Sequence, residues 1–203
     1  MADIVDLSGV EGVPRYADGR LRCYAPRRKL SKIRRVVLHQ WAAHADLVLR
    51  PHETLEECAA RRARSTVYTL DVFEGNVVVW AWDPAIVAWA SNGWNRSSIS
   101  IGVGAKLPKF ERNRTAAHSP VSEFEAGLVR ALQLVAEKFP GIAVVTHRQS
   151  SAGKAADPGE ALARIAVREA PRLGLTIDFD TVRGTGLPCP PEWRAPAATG
   201  ETA

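Results

Sequence analysis

Two histidines and one aspartate carry the most chemistry in this chain of 203 residues. His147 lies in Val144-Val145-Thr146-His147-Arg148-Gln149, and Asp157-Pro158-Gly159 begins ten residues after it. His39 waits upstream, at the end of the run Ile33-Arg34-Arg35-Val36-Val37-Leu38, and His147 closes the run Ile142-Ala143-Val144-Val145 in the same way. Such runs predict buried strands, and in α/β sheets strand ends are where sites are assembled. Two imidazoles at strand mouths and one carboxylate on a following loop form the ligand set of a catalytic zinc, with one position left for water. A lone histidine at a strand end is more often a hydrogen-bonded structural residue; the joint pattern favours the metal.

The elements that must position these residues follow from local pattern. Val67-Tyr68-Thr69-Leu70-Asp71-Val72-Phe73 and Val77-Val78-Val79-Trp80, separated by Glu74-Gly75-Asn76, predict a hairpin with a glycine turn. Ser98 to Val103 predicts a strand with Ile99, Ile101 and Val103 on one face. Helices are expected from Leu55 to Arg64 behind a Thr54 cap, from Ser122 to Lys138 with Phe124, Leu128, Leu132 and Val135 on one face, and from Glu160 to Glu169. Trp80, Trp82 and Trp89 read as core residues. Residues 1–31 are Gly, Pro and Arg rich and read as an extended arm wrapped on the domain, and the tail from Gly184 is Pro, Gly and Ala rich.

With 46% hydrophobic residues the chain can bury one full core. Its net charge of +5 is concentrated in residues 1–50, which hold ten Lys or Arg against five Asp or Glu. The densest stretch, Arg27-Arg28-Lys29-Leu30-Ser31-Lys32-Ile33-Arg34-Arg35, is either a solvated rim or a surface that attracts a polyanion: nucleic acid, an anionic envelope polymer or a membrane surface. Cys23, Cys58 and Cys189 have neither metal-ligand spacing nor a disulfide framework and suit a reducing compartment. The acidic N-terminus does not fit a signal peptide, and no apolar run approaches spanning length, so synthesis in the cytoplasm is expected.

In their order along the chain, Val36-Val37-Leu38-His39-Gln40, the stretch Ala88-Trp89-Ala90-Ser91-Asn92-Gly93-Trp94-Asn95 leading to Ser98-Ile99-Ser100-Ile101-Gly102, and His147-Arg148-Gln149 through Asp157-Pro158-Gly159 resemble the zinc-dependent N-acetylmuramoyl-L-alanine amidases. This is the superfamily of phage amidase endolysins, muropeptide-recycling amidases and peptidoglycan recognition proteins. The resemblance covers roughly Ile33 to Leu175. It implies an α/β fold with a central mixed β-sheet flanked by helices: a single amidase domain at 32–178, a basic N-terminal arm at 1–31 and a Pro/Gly-rich C-terminal tail at 179–203. It implies His39, His147 and Asp157 as zinc ligands, a peptidoglycan or muropeptide substrate, and cleavage between the lactyl group of N-acetylmuramic acid and L-alanine. A zinc-retaining peptidoglycan-binding protein with weak or no turnover is the alternative. The expected protein is a monomer with anionic envelope polymers as further partners and no nucleic acid.

The chain departs from this family at its catalytic helpers. Where many relatives have a glutamate base on the Ile-Gly-Ile-Glu strand, Gly102 stands here, leaving an expected void that Gly102→Glu would fill to advantage. The tyrosine that other members use at the start of the hairpin strand falls on Val67, with Tyr68 one step away; on a regular strand that offset turns a side chain to the opposite face. The lysine that often precedes the third ligand is displaced to Lys154. Tyr68 and Lys154 are thus the candidate catalytic residues. Trp94 and Asn95 follow a glycine beside the expected groove, where an indole can stack on a sugar, a core indole being the competing reading.

Overall fold

The computed structural model describes residues 4–9, 14–15, 19–24, 27–41, 50–63 and 66–195. Nine strands lie among them: β1 (Ile4–Asp6), β2 (Cys23–Tyr24), β3 (Arg35–Gln40), β4 (Leu70–Phe73), β5 (Val77–Trp80), β6 (Val87–Ala88), β7 (Ser98–Val103), β8 (Ala143–Thr146) and β9 (Thr176–Ile177). Seven form one sheet in the order β1-β5-β4-β7-β3-β8-β9, and β2 pairs with β6 separately. Within the large sheet every neighbouring pair is parallel except β4 and β5. That exception is the expected hairpin, whose Gly75 and Asn76 take φ values of 74° and 64°, the left-handed geometry that tight hairpins require.

Strand alternation divides the sheet into two chemically distinct faces. Val36, Leu38, Leu70, Val72, Val78, Ile99, Ile101, Val103 and Val144 belong to the main core. The helices α2 (Glu125–Lys138) and α3 (Glu160–Glu169) contribute Leu128, Leu132, Val135, Leu162 and Ile165 to the same core. Each such side chain contributes about 1.5–3 kcal/mol by leaving water. On the other face, α1 (Leu55–Ala63) places Leu55 against the cluster of Phe73, Val77 and Val79. The end of that face carrying the polar residues His39 and Asp71 is left to the loops.

The α/β fold with a mixed sheet flanked by helices is the one expected, with three local differences. The hairpin's first strand begins at Leu70, three residues later than its apolar pattern suggests, so Tyr68 precedes the ladder. The second long helix begins at Glu125 after a short turn at Val121–Glu123, while Phe124 enters the core with 1% exposure. Trp89 is 43% exposed rather than buried, whereas Trp80 and Trp82 are in the core.

Described parts of both flanks pack on the sheet and helices. Ile4–Asp6 adds the edge strand beside β5, and Trp193 is fully buried with Ala163, Phe179 and Cys189 against α3. The basic stretch is partly consumed by structure: Arg28 donates to the carbonyls of Pro84, Asn95 and Ser98, Arg27 pairs with Asp83, and Arg35 lies 5.1 Å over the Trp94 ring. No helix among the described residues is long and apolar enough to cross a membrane.

Candidate metal centre

The register of two adjacent parallel strands brings the histidines together. Leu38 of β3 is paired with Thr146 of β8, so the next residue of each chain, His39 and His147, emerges at the same open end. Their Nδ1 atoms lie 3.0 Å apart, and His147 Nδ1 lies 2.9 Å from Asp157 Oδ2. His39 Nδ1 is 3.9 Å from the same oxygen. All three residues are buried.

This donor set fits a metal ion. Four-coordinate zinc with nitrogen and oxygen ligands near 2.0–2.1 Å requires neighbouring donors to be separated by about 3.3 Å, the scale observed here. Burial, then the charges of His147 and Lys154, hold the His39 imidazole well below its usual pKa, so it is neutral at physiological pH. Two ring nitrogens facing each other at 3.0 Å need a shared proton or a cation between them. With Nδ1 given to a metal, His39 Nε2, 3.1 Å from Ser91 Oγ, would carry the ring proton and donate it to the serine, fixing tautomer and ring plane.

Asp157 is aimed from a different direction. Its Oδ1 accepts the Gln40 backbone N–H at 2.9 Å, leaving Oδ2 for the histidines. Gln40 fastens the loop further, donating from Nε2 to Ala156 O at 2.9 Å while its Oε1 accepts the Leu107 N–H at 2.8 Å. Arg148 binds the Asp157 carbonyl through its backbone and the Ala155 carbonyl through its guanidinium. Ser91 and Gln40 orient His39 and Asp157 without belonging to the group themselves. Both stand in the family-like stretches, but their roles arise from contacts 52 and 117 residues away in sequence.

Tyr68 reaches the centre. Its ring centroid is 4.8 Å from that of His39, and a Cβ on Gly102 would lie 2.1 Å from its ring. The expected void at Gly102 is therefore filled by Tyr68. The alternation argument does not apply, because residues 66–69 lie outside the ladder and the backbone is free to turn the ring over the glycine. Burial, then the charges of Asp157 and Asp71, raise the Tyr68 pKa above its usual range, so the phenol keeps its proton. Beside it opens a cleft of about 210 Å³ lined by Arg22, Trp41, Thr66, Val67 and Tyr68.

Lys154 is exposed on the turn Ala152–Lys154 and acts on His39 through its charge. Trp94 is buried, 2% exposed, with Val37 and Val145, which corrects its expected place on the groove surface: its indole is core. Asn95 acts from behind, its Oδ1 accepting the Ser91 N–H at 2.6 Å and so holding the serine that meets His39. One further acid was not singled out from the sequence. Asp71 pairs in register with Gly102, which pairs with His39, so all three share one row across the sheet. Thr66 Oγ1 donates to Asp71 Oδ2 at 2.8 Å, yet burial pushes this carboxyl well above the usual range.

No protein-family model and no curated protein sequence matches the chain. Solved structures do. Drosophila peptidoglycan recognition protein SD is 17% identical, with a TM-score of 0.51 over 79% of this chain and 90% of that one. The complex of peptidoglycan recognition proteins LCa and LCx with tracheal cytotoxin contains a chain 21% identical, with a TM-score of 0.50 over 81% of this chain and 94% of that one. The endolysin of a Thermus scotoductus bacteriophage matches 77% of this chain and 91% of its own at 15% identity and a TM-score of 0.46. Around a buried His-His-Asp group able to hold a metal ion, the chain has a fold shared with the peptidoglycan recognition proteins of these structures.

Proposed function

We propose that the chain is a zinc-dependent N-acetylmuramoyl-L-alanine amidase. The observation that carries this reading is the convergence of His39 Nδ1, His147 Nδ1 and Asp157 Oδ2 at the open end of the sheet. A zinc ion in this group would polarise the lactyl amide carbonyl and bring the pKa of a water molecule towards neutrality.

The chain's own residues supply the rest. Hydrolysis places negative charge on the carbonyl oxygen and requires a proton on the departing alanine nitrogen. Tyr68, which stays protonated beside His39, is a hydrogen-bond donor suited to either task. Lys154 adds positive charge on the outer side. Ser91 and Gln40 hold His39 and Asp157 in the orientation the reaction needs.

Zinc-loaded protein incubated with purified sacculi should release free stem peptides, identified by mass spectrometry, and His147→Ala should release none. The glycine at position 102, where many relatives carry a carboxylate, favours a second reading, a protein that binds peptidoglycan without turnover. Sedimentation with sacculi but no peptide release from zinc-loaded wild type would establish that reading in place of the amidase.

A further inference from the structure

The segment that carries Tyr68 approaches the sheet without a ladder of its own. Strand β4 starts at Leu70, and among the described residues no backbone-to-backbone hydrogen bond holds Thr66, Val67 or Tyr68. Just after the tyrosine the chain is fixed on two sides. Thr69 N–H donates to Ser100 Oγ and Ser100 N–H to Thr69 Oγ1, each at 3.3 Å, while Thr69 O accepts the Ala81 N–H at 2.9 Å. Before the tyrosine the chain is fastened by a side-chain bond, Thr66 Oγ1 donating to Asp71 Oδ2 at 2.8 Å, which closes the loop 66–71 with Tyr68 inside it.

An acid is a costly choice at position 71. Asp71 is fully buried on β4 between Leu70 and Val72, and its Oδ1 has no hydrogen-bond partner among the described residues. A buried carboxyl with half of its acceptor capacity unused destabilises a fold relative to an apolar side chain of similar shape. What the carboxyl does hold is Thr66, and its place in the sheet gives that bond a use. Asp71 pairs with Gly102 and Gly102 with His39, and the Tyr68 ring lies over Gly102, the middle member of the row, where a Cβ would come within 2.1 Å of it. The ring so placed has its centroid 4.8 Å from that of His39. Beside it the cleft of about 210 Å³, walled in part by Thr66, Val67 and Tyr68 itself, is space that a released ring can enter.

We propose that Asp71 is a positioning residue: by accepting the Thr66 hydroxyl it closes the 66–71 loop and holds the Tyr68 ring over Gly102, beside His39 and out of the cleft. Its consequence for turnover rests on the amidase reading; the placement of the ring does not. Thr66→Val keeps the shape of the side chain and removes the donor, whereas Thr66→Ser keeps the donor. Asp71→Val removes the acceptor, whereas Asp71→Asn keeps a carbonyl oxygen for the hydroxyl.

The first readout is the ring itself. The chain has three tyrosines, so the Tyr68 ring signals in an NMR spectrum are assigned by their loss in Tyr68→Phe. Wild type should show a nuclear Overhauser contact between that ring and the Gly102 α-protons; Thr66→Val and Asp71→Val should lose it, and Thr66→Ser and Asp71→Asn should keep it. The second readout is release of stem peptide by zinc-loaded protein. Thr66→Val and Asp71→Val should each lower kcat by about tenfold with zinc content unchanged, the scale of a misaimed catalytic group, while the two conservative variants stay within about twofold of wild type. In a Tyr68→Phe background Thr66→Val should cost nothing more, because the ring through which it acts has already lost its hydroxyl. A ring contact that survives in both Thr66→Val and Asp71→Val overturns the inference, as does a further tenfold loss on adding Thr66→Val to Tyr68→Phe. If Asp71→Val does not fold, Thr66→Val and its serine counterpart decide alone. If wild type releases no peptide, the amidase reading fails separately, and the ring contact still decides the positioning.

Discussion

Tyr68 occupies the volume that a side chain at position 102 would need, so the two positions form one unit. Gly102→Glu should therefore displace the ring rather than supply a base, destabilising the protein by about 1–3 kcal/mol through overpacking and lowering cleavage. Denaturant midpoints and peptide release check it. Tyr68→Phe keeps the ring and removes the donor; under the amidase reading it should lower kcat by about 10²-fold with zinc content unchanged. Asp71 makes a different prediction. Its pKa is raised in the folded state because burial disfavours the charge. The folded protein thus keeps a proton that the unfolded chain gives up near pH 4, about the ordinary aspartate value, and stability falls as pH rises towards the folded pKa. Asp71→Asn cannot lose that proton. Its stability relative to wild type should grow with pH, measured as midpoints from pH 4 upward, and a constant difference would show that Asp71 is ionised in the fold.

At the scale of elements, Arg28 links the β2–β6 side of the molecule to the loop entering β7. It donates to Asn95 O at 2.6 Å, and Asn95 in turn holds Ser91 and through it His39. Arg28→Ala strands three carbonyls and should cost about 2–4 kcal/mol, with a measurable loss of zinc affinity. Lys29→Ala and Lys32→Ala, both exposed, should stay within about 0.5 kcal/mol of wild type. Thermal unfolding and competitive zinc titration separate the two classes of basic residue. The same stretch of sequence thus contains a structural guanidinium and solvated lysines, which charge density alone does not distinguish.

For the whole molecule, the segment after β9 is as much part of the domain as the sheet. Trp193 buries its ring against α3 and donates from Nε1 to Lys109 O at 2.9 Å, with Arg148 above it at 5.8 Å. Trp193→Ala should cost about 3–5 kcal/mol, read from the denaturant midpoint. Because Arg148 also braces the Asp157 loop, zinc affinity should fall with it. Under the proposed function, zinc should raise the unfolding temperature of wild type by binding the folded centre, which the unfolded chain does not assemble, and a chelator should reverse the gain. Asp157→Ala should abolish both the shift and stoichiometric zinc, because two ligands seldom hold the ion against water.

Apolar runs ending in His39 and His147, alternation in Ser98–Val103 and the glycine turn at Gly75 are local signals, and each specified its element and its polarity before any packing was known. The meeting of His39 and His147 was legible because adjacent parallel strands place their ends side by side. What lay beyond local pattern depended on contacts between distant segments. Whether Tyr68 faces the centre is decided by the ladder beginning only at Leu70, and whether Gly102 is a void is decided by that ring. Trp94 is core and Trp89 exposed because burial is set by which loop lies over which face, a property of the assembled sheet. Asp71 looked like any strand residue until register placed it in the row of His39. Local propensity chooses elements; the shared register and the close approach of bare backbone choose the site.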